Sequence, residues 1–299
     1  MKQCDAWEER HSLSSAVSVR DREGLSPLQR RIILLAIERR NQILERLQRE
    51  KRVVVASLSE EFRVSEETIR RDLEKLEKDG YATKTYGGAV IRENSTLDLP
   101  YTVRKNTNVE GKQQIAMLIA GLIEDGDSLM LDASSTAVFV AREIRRKRNI
   151  TVITNSLEVL IELAETRGWK VLSTGGTMKE GSLAFTGHQS EKMLSGYHVD
   201  KSVFSCKGLD IDRGMTDASD SFAELKRTMM HCSGLRILAA DCSKFDVISF
   251  AEIGSMEDVD IIVTDREPDE RWKQFFQAQN IRMIYPGSAD APEPEPASV

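Results

Sequence analysis

Apolar side chains return along this chain in two rhythms, and the change between them divides it. From Leu28 to Glu50, Ile32, Ile33, Leu35, Ala36, Ile43, Leu44 and Leu47 recur at roughly helical spacing among Arg and Glu, which predicts a first helix. Val55 to Phe62 (VASLSEEF) predicts a second, short and amphipathic. Only Arg63 and Val64 separate it from a third. That one starts at Ser65, with Glu66, Glu67 and Thr68 in its first turn and a buried stripe at Ile69, Leu73 and Leu76. Lys78-Asp79-Gly80 carries the helix-stop chemistry of a left-handed residue. Tyr81 to Tyr86 is rich in Thr and Tyr, and Gly87-Gly88 parts it from Ala89-Val90, so a strand, a turn and a second strand follow. Helices joined so tightly, with a hairpin behind them, make a winged helix-turn-helix, whose second helix enters the DNA major groove.

From Lys112 onwards helix-length and strand-length apolar runs alternate. Helices are predicted at 112–123, 136–145, 157–165, 222–232 and 269–279. Strands are predicted at 128–131, 150–154, 170–173, 202–205, 236–240 and 260–264, with a last one near Met283. Such alternation predicts an α/β domain with a mostly parallel sheet covered on both faces. The expected organisation is a disordered extension over 1–27, a DNA-binding domain over 28–92 and a linker over 93–110. The α/β domain then runs over 111–286, and a Pro- and Glu-rich disordered tail over 287–299.

Composition sharpens this picture at four points. The 299 residues suffice for two domains, and 40% hydrophobic with 30% charged residues reads as soluble and globular. No run of about 18 apolar residues exists and the start lacks an apolar signal core, so no membrane span or secretion is expected and the cytoplasm is the default. Cys4, Cys206, Cys232 and Cys242 form no C-x-x-C, and His11, His188, His198 and His231 are scattered, so neither a metal nor another cofactor is expected. The net charge of −6 is segregated. Residues 28–92 hold 15 Lys and Arg against 11 Asp and Glu, a net of +4, which leaves −10 on the rest. A modestly positive reader on an acidic body leaves specificity to oriented contacts and to a second copy.

Candidate DNA contacts lie off the buried stripe of the third helix: Ser65, Thr68, Arg70, Arg71 and Lys75, with Lys84 and Tyr86 on the wing. A basic helix face is usually only a solvated one. Here it coincides with a pairing helix, a short turn and a wing, which together favour a groove reader.

In an open parallel sheet, ligands bind beyond the carboxyl ends of the strands. The first strand leads into Asp132-Ala133-Ser134-Ser135-Thr136, where free amides and the helix dipole favour an anion; N-capping by Ser135 or Thr136 is the ligand-free alternative. Asn155 follows the second strand, Gly175-Gly176-Thr177 with Lys179 the third, Lys207-Gly208 the fourth, and Asp241-Cys242-Ser243-Lys244 the fifth. Glycines let backbone amides approach a ligand, and lysines supply point charges for phosphate. The set suits a polyhydroxylated anion such as a sugar phosphate.

Ser65-x-x-Thr68-Ile69-Arg70-Arg71-Asp72-Leu73, Leu76-Glu77-x-x-Gly80 and Gly87-Gly88-Ala89-Val90 resemble the winged helix-turn-helix of the DeoR family of bacterial transcriptional regulators. The likeness continues through Leu131-Asp132-x-x-Ser135-Thr136, Thr151 to Leu157, Gly175-Gly176, Lys226-Arg227, Asp241-x-Ser243-Lys244-Phe245 and Asp260 to Asp265. Tyr86, Ser134, Lys179, Cys206-Lys207 and Phe222 depart from the commoner family residues. The resemblance implies a sensor domain similar to the ribose-5-phosphate isomerase and glucosamine-6-phosphate deaminase fold. It also implies a repressor whose hold on operator DNA changes with a phosphorylated sugar. A homo-oligomer, dimer or tetramer, is expected because paired half-sites supply the contacts one small reader lacks. The competing reading is a sugar-phosphate isomerase or aminosugar-phosphate deaminase. It asks for a base and a second acid, for which Asp132 and Asp241 are the candidates at strand ends.

Overall fold

The computed structural model describes residues 36–92, 98–179 and 181–292. The expectations for 1–27, for the start of the first helix and for the last seven residues lie outside them. The chain divides into two compact units, one ending at Ile91 and the other beginning at Arg92. Among the described residues no helix is long and apolar enough to cross a membrane.

The first unit runs α1 (Ala36–Glu50), β1 (Arg52–Val54), α2 (Val55–Phe62), α3 (Glu66–Lys78), β2 (Ala82–Thr85) and β3 (Gly88–Ile91). Its helices bury Ile43, Leu44 and Leu47 of α1, Leu58 of α2, and Ile69, Leu73 and Leu76 of α3. Ser65 caps α3, its hydroxyl accepting from the Thr68 amide at 3.2 Å. At the other end Gly80 is left-handed, and the Gly80 and Tyr81 amides donate to the Glu77 and Leu76 carbonyls, both at 2.9 Å, which closes a Schellman turn. The wing has a third strand that the sequence did not predict, because β1 is only three residues long. It pairs antiparallel with β3, which pairs with β2. Gly88 is required there, since a Cβ would run into the Val53 carbonyl.

The second unit opens with α4 (Tyr101–Asn106) and α5 (Val109–Ala120), then β4 (Ser128–Leu131), α6 (Ser135–Glu143), β5 (Thr151–Thr154), α7 (Leu157–Leu163) and β6 (Lys170–Ser173). A hairpin of β7 (Thr177–Lys179) and β8 (Ala184–Thr186) precedes α8 (His188–Leu194), β9 (Val199–Phe204), β10 (Gly208–Asp210) and β11 (Gly214–Asp217). The chain closes with α9 (Asp220–His231), β12 (Ser233–Ala239), β13 (Ala251–Gly254), β14 (Ile261–Val263), α10 (Glu270–Ala278) and β15 (Arg282–Ile284). Seven strands form a wholly parallel sheet in the order β15-β14-β12-β9-β4-β5-β6. Its side chains alternate between two cores. Val203, Ile237 and Val263 face the cluster built on α5 and α6, while Phe204, Leu238 and Ile262 face the one containing Trp272 and Phe276.

Three expectations change. The stretch read as linker contains α4, whose Tyr101 and Val103 are buried; six residues are too few for periodicity to reveal a helix. Residues 287–292, read as the start of a disordered tail, instead turn back, with Ala291 packed against the larger core and Arg282 donating to the Asp290 carbonyl at 2.9 Å. Finally, β10, β11 and β13 make a small antiparallel sheet that alternation alone did not show.

Candidate nucleic-acid interface and effector site

Two sets of side chains carry chemistry, one on each unit. On the first, the outward face of α3 presents Arg70, Arg71 and Lys75, half to three-quarters exposed. Each is paired along the helix: Arg70 with Glu66 at 2.6 Å, Arg71 with Glu67 at 3.1 Å and Lys75 with Asp79 at 2.9 Å. Lys84 of the wing reaches Glu74 at 2.8 Å. Exposed pairs of this kind contribute about 0–1 kcal/mol, so phosphate oxygens can replace the carboxylates at little cost. Ser65 and Thr68 stand at the α3 N-terminus with their hydroxyls 2.9 Å apart. Tyr86 at the wing tip is fully exposed. One acidic residue breaks the pattern. Asp72 lies on the buried face of α3, held by Arg39 Nε at 2.5 Å and Arg40 Nη1 at 3.5 Å from α1. It fixes α3 against α1.

On the second unit, strand order reverses between β4 and β9, the switch point where ligand loops gather. Asp132 sits at the end of β4, buried, and its carboxylate accepts from the Ser134 and Ser205 amides, both at 3.0 Å. Lys226 of α9 lies 3.5 Å from Asp132 and contacts Asp217. Burial works against the Lys226 charge, but Asp217 and Asp132 outweigh it and raise its pKa. Asp132 is therefore an internal brace for the loops, rather than an open ligand contact. Ser134, not Ser135 or Thr136, caps α6, accepting from the Ala137 amide at 3.0 Å. That leaves Ser135 and Thr136 as first-turn residues, both buried.

Asn155 after β5 is also buried. Its Nδ2 donates to the Phe185 carbonyl at 3.0 Å, while its Oδ1 has no hydrogen-bond partner among the described residues. Gly175 and Gly176 both have positive φ, and a Cβ on Gly176 would meet Ser190 Oγ. Lys179 Nζ donates to Ser219 Oγ at 2.7 Å and lies 4.4 Å from the centroid of the Phe222 ring. Phe222 packs with Ala133 and Ala184, which brings the Lys179 hairpin to the loop after β4. Lys207, following β9, pairs with Asp98 at 2.7 Å, and Lys244 stands 3.7 Å from Asp241.

The strand-end reading missed several partners of these groups. Arg104 Nε lies 3.7 Å from Asp98, and the buried Lys112 donates to the carbonyls of Arg104, at 3.0 Å, and Thr107. Burial, with Lys244 and Arg104 nearby, draws the Lys112 pKa down to about 8 against the pull of Asp241. Burial and Arg104 bring Lys207 to about 8 as well, despite Asp98. Asp241 accepts from the Ser243 amide at 3.0 Å; burial opposes its charge, yet Lys244 and Ser243 hold its pKa low. Nothing in a one-dimensional pattern marks such partners, since Asp98, Arg104 and Lys112 lie far along the chain from the Lys207 and Asp241 that they face. Among the described residues no cluster of His, Cys, Asp and Glu is fit to hold a metal ion.

Known proteins resemble both units. The DeoR C-terminal sensor domain matches residues 107–266, and the DeoR-like helix-turn-helix domain matches residues 39–95. The uncharacterized HTH-type transcriptional regulator YulB of Bacillus subtilis strain 168 is 41% identical over 250 residues, covering 84% of this chain and 96% of its own. The transcriptional repressor AccR of Agrobacterium fabrum strain C58 is 36% identical, over 76% of this chain and 89% of its own. The glycerol-3-phosphate regulon repressor of Escherichia coli K12 is 28% identical, over 82% and 97%. Among solved structures, ribose 5-phosphate isomerase A from Methanocaldococcus jannaschii is similar with a TM-score of 0.35 at 15% identity, over 46% of this chain and 55% of that one.

Proposed function

Because the chain belongs to the DeoR family of transcriptional regulators, we propose that it represses a sugar-catabolism operon and that a phosphorylated sugar modulates its grip on the operator. The observation that carries the DNA reading is the division of α3 into two faces. One is locked to α1 through Asp72, and the other offers Arg70, Arg71 and Lys75 in pairs that cost little to open. Ser65 and Thr68 at the helix start, with Lys84 and Tyr86 on the wing, complete the proposed contact set.

A sugar phosphate suits the strand ends of the second unit. The first turn of α6 at Ser135 and Thr136, with Lys179, Lys207 and Lys244, supplies positive potential for a phosphate. The unsatisfied Asn155 Oδ1 is a buried acceptor that a sugar hydroxyl would fill. Ser134, Gly175 and Gly176 shape the loops around it, and Asp132 braces them. Isomerase or deaminase chemistry would need a carboxylate poised on substrate, whereas those of Asp132 and Asp241 are engaged by backbone amides and lysines. A regulator of this kind works in the cytoplasm as a dimer or tetramer, two readers engaging paired half-sites.

The test is fluorescence anisotropy on a labelled duplex from upstream of its own gene. Arg70→Ala and Arg71→Ala are expected to weaken binding by about 1–3 kcal/mol for whichever arginine reads a base. Unchanged affinity in both variants would remove α3 from the interface.

A further inference from the structure

We infer that Asp98 is a built-in competitor for the anionic group of the effector: both claim Lys207, and the ligand takes it only when Asp98 gives it up. The inference rests on the effector reading above and adds how that site is connected to the rest of the chain. Asp98 Oδ1 lies 2.7 Å from Lys207 Nζ, directly beyond the β9 strand end where an incoming anion would be received. Ser182 Oγ donates to Asp98 Oδ2 at 3.2 Å, and Arg104 Nε stands 3.7 Å from Oδ1. The carboxylate thus occupies the seat of a ligand.

Charge decides whether both anions can stay. Lys207 and Arg104 face Asp98 and Asp217, so withdrawal of Asp98 leaves a positive excess that a phosphate can fill. A phosphate monoester brings about −1.5 to −2 charges, against one on Asp98. Once it takes Lys207, two anions face each other across a site largely withdrawn from water, where repulsion is poorly screened. Asp98 is then the one to yield, because it lies before α4 and outside the sheet.

That segment is where the chain enters the sensor unit. Asp98 lies seven residues after Ile91, where the DNA-reading unit ends. Beyond Asp98 the segment is anchored by the buried Tyr101 and Val103 and by bonds that include the Tyr101 amide to the Gly181 carbonyl at 2.8 Å, Arg104 Nε to the Leu99 carbonyl at 3.0 Å and Lys105 Nζ to Glu158 at 3.3 Å. Displacing Asp98 removes the tie between this segment and the β9 strand end. Occupancy of the effector site is thereby felt where the chain enters the sensor unit.

Asp98→Asn and Lys207→Gln break the same pair from opposite sides, and inorganic phosphate is the probe, titrated by calorimetry into the full chain. Both variants are expected to raise amide hydrogen exchange over residues 98–107 without ligand, to the level phosphate produces in the unaltered chain. Their phosphate affinities are expected to separate, Asp98→Asn binding at least fivefold more tightly and Lys207→Gln at least fivefold more weakly. A merely structural pair would move both variants the same way, and that result overturns the inference. Phosphate binding that Lys244→Gln weakens but Asp98→Asn and Lys207→Gln leave within twofold overturns it while sparing the effector site. Absence of phosphate binding in every protein, the unaltered chain included, overturns both.

Discussion

Lys207 and Lys112 are lysines that the fold has made poor bases. Burial lowers both to about 8, so each changes charge in a range where an exposed lysine stays protonated. Two opposite pH dependences follow. Folding pays for holding these ammonium groups out of water, so their contribution to stability is present above the unfolded lysine range and is lost as pH falls through about 8. Anion binding needs the proton, and Lys207 is the one aimed at the strand-end loops, facing Asp98, Arg104 and Asp217. Phosphate affinity is therefore expected to fall as pH rises above 8, approaching tenfold per unit for a single proton. Calorimetry from pH 7 to 9.5 measures it, with Lys207→Gln as the variant in which the slope flattens. A slope that survives in Lys207→Gln would assign the proton elsewhere, with Lys112 next to be tested.

At the scale of single elements, α3 depends on a group that its outward chemistry does not reveal. Asp72 is a carboxylate on an apolar face, and the Arg39 guanidinium beside it is nearly as buried. Removing one partner leaves an uncompensated charge, which costs about 3–5 kcal/mol. Asp72→Asn is accordingly expected to destabilise the first unit by an amount of that order in urea unfolding, against about 1 kcal/mol or less for Glu66→Gln on the exposed face. Equal small effects would mean that Asp72 is not needed to seat the helix. The sequence made one side of this element legible and hid the other. The cap at Ser65, the stripe Ile69, Leu73 and Leu76, and the stop at Gly80 are local signals, each carried within one or two turns. The Asp72–Arg39 pair spans two helices and leaves no periodic trace. The same division holds in the second unit. Central strands of the parallel sheet announce themselves as apolar runs, whereas β1, β7 and β8 carry at most two apolar residues each. Candidate effector residues were readable from their place after each strand. That Asn155 is bound to the β8 backbone, and Asp132 to Ser205 and Lys226, is written only in the fold.

For the whole molecule, segregated charge sets how the two functions meet. The acidic remainder of the chain, −10 against +4 in residues 28–92, weakens indiscriminate attraction to DNA, so small changes in oriented contacts weigh more in the total. A ligand bound to the sensor unit can use that leverage only if it binds the DNA-engaged and the free states with different affinity. Thermodynamic linkage makes the requirement measurable from either end. If a saturating sugar phosphate lowers operator affinity tenfold, about 1.4 kcal/mol of coupling, saturating operator must lower sugar-phosphate affinity by the same factor. A thermal-shift screen of sugar phosphates finds the ligand that raises the melting temperature most, and calorimetry then compares its binding with and without operator duplex. Equal affinities in the two titrations would mean that the sensor unit binds its ligand without acting on DNA. The Asp98 contact would then be a local adjustment of the pocket, since a displaced segment that changes nothing at the operator transmits no free energy. Unequal affinities that become equal in Asp98→Asn would place that coupling in the contact between Asp98 and Lys207, where the chain enters the sensor unit and meets the end of β9.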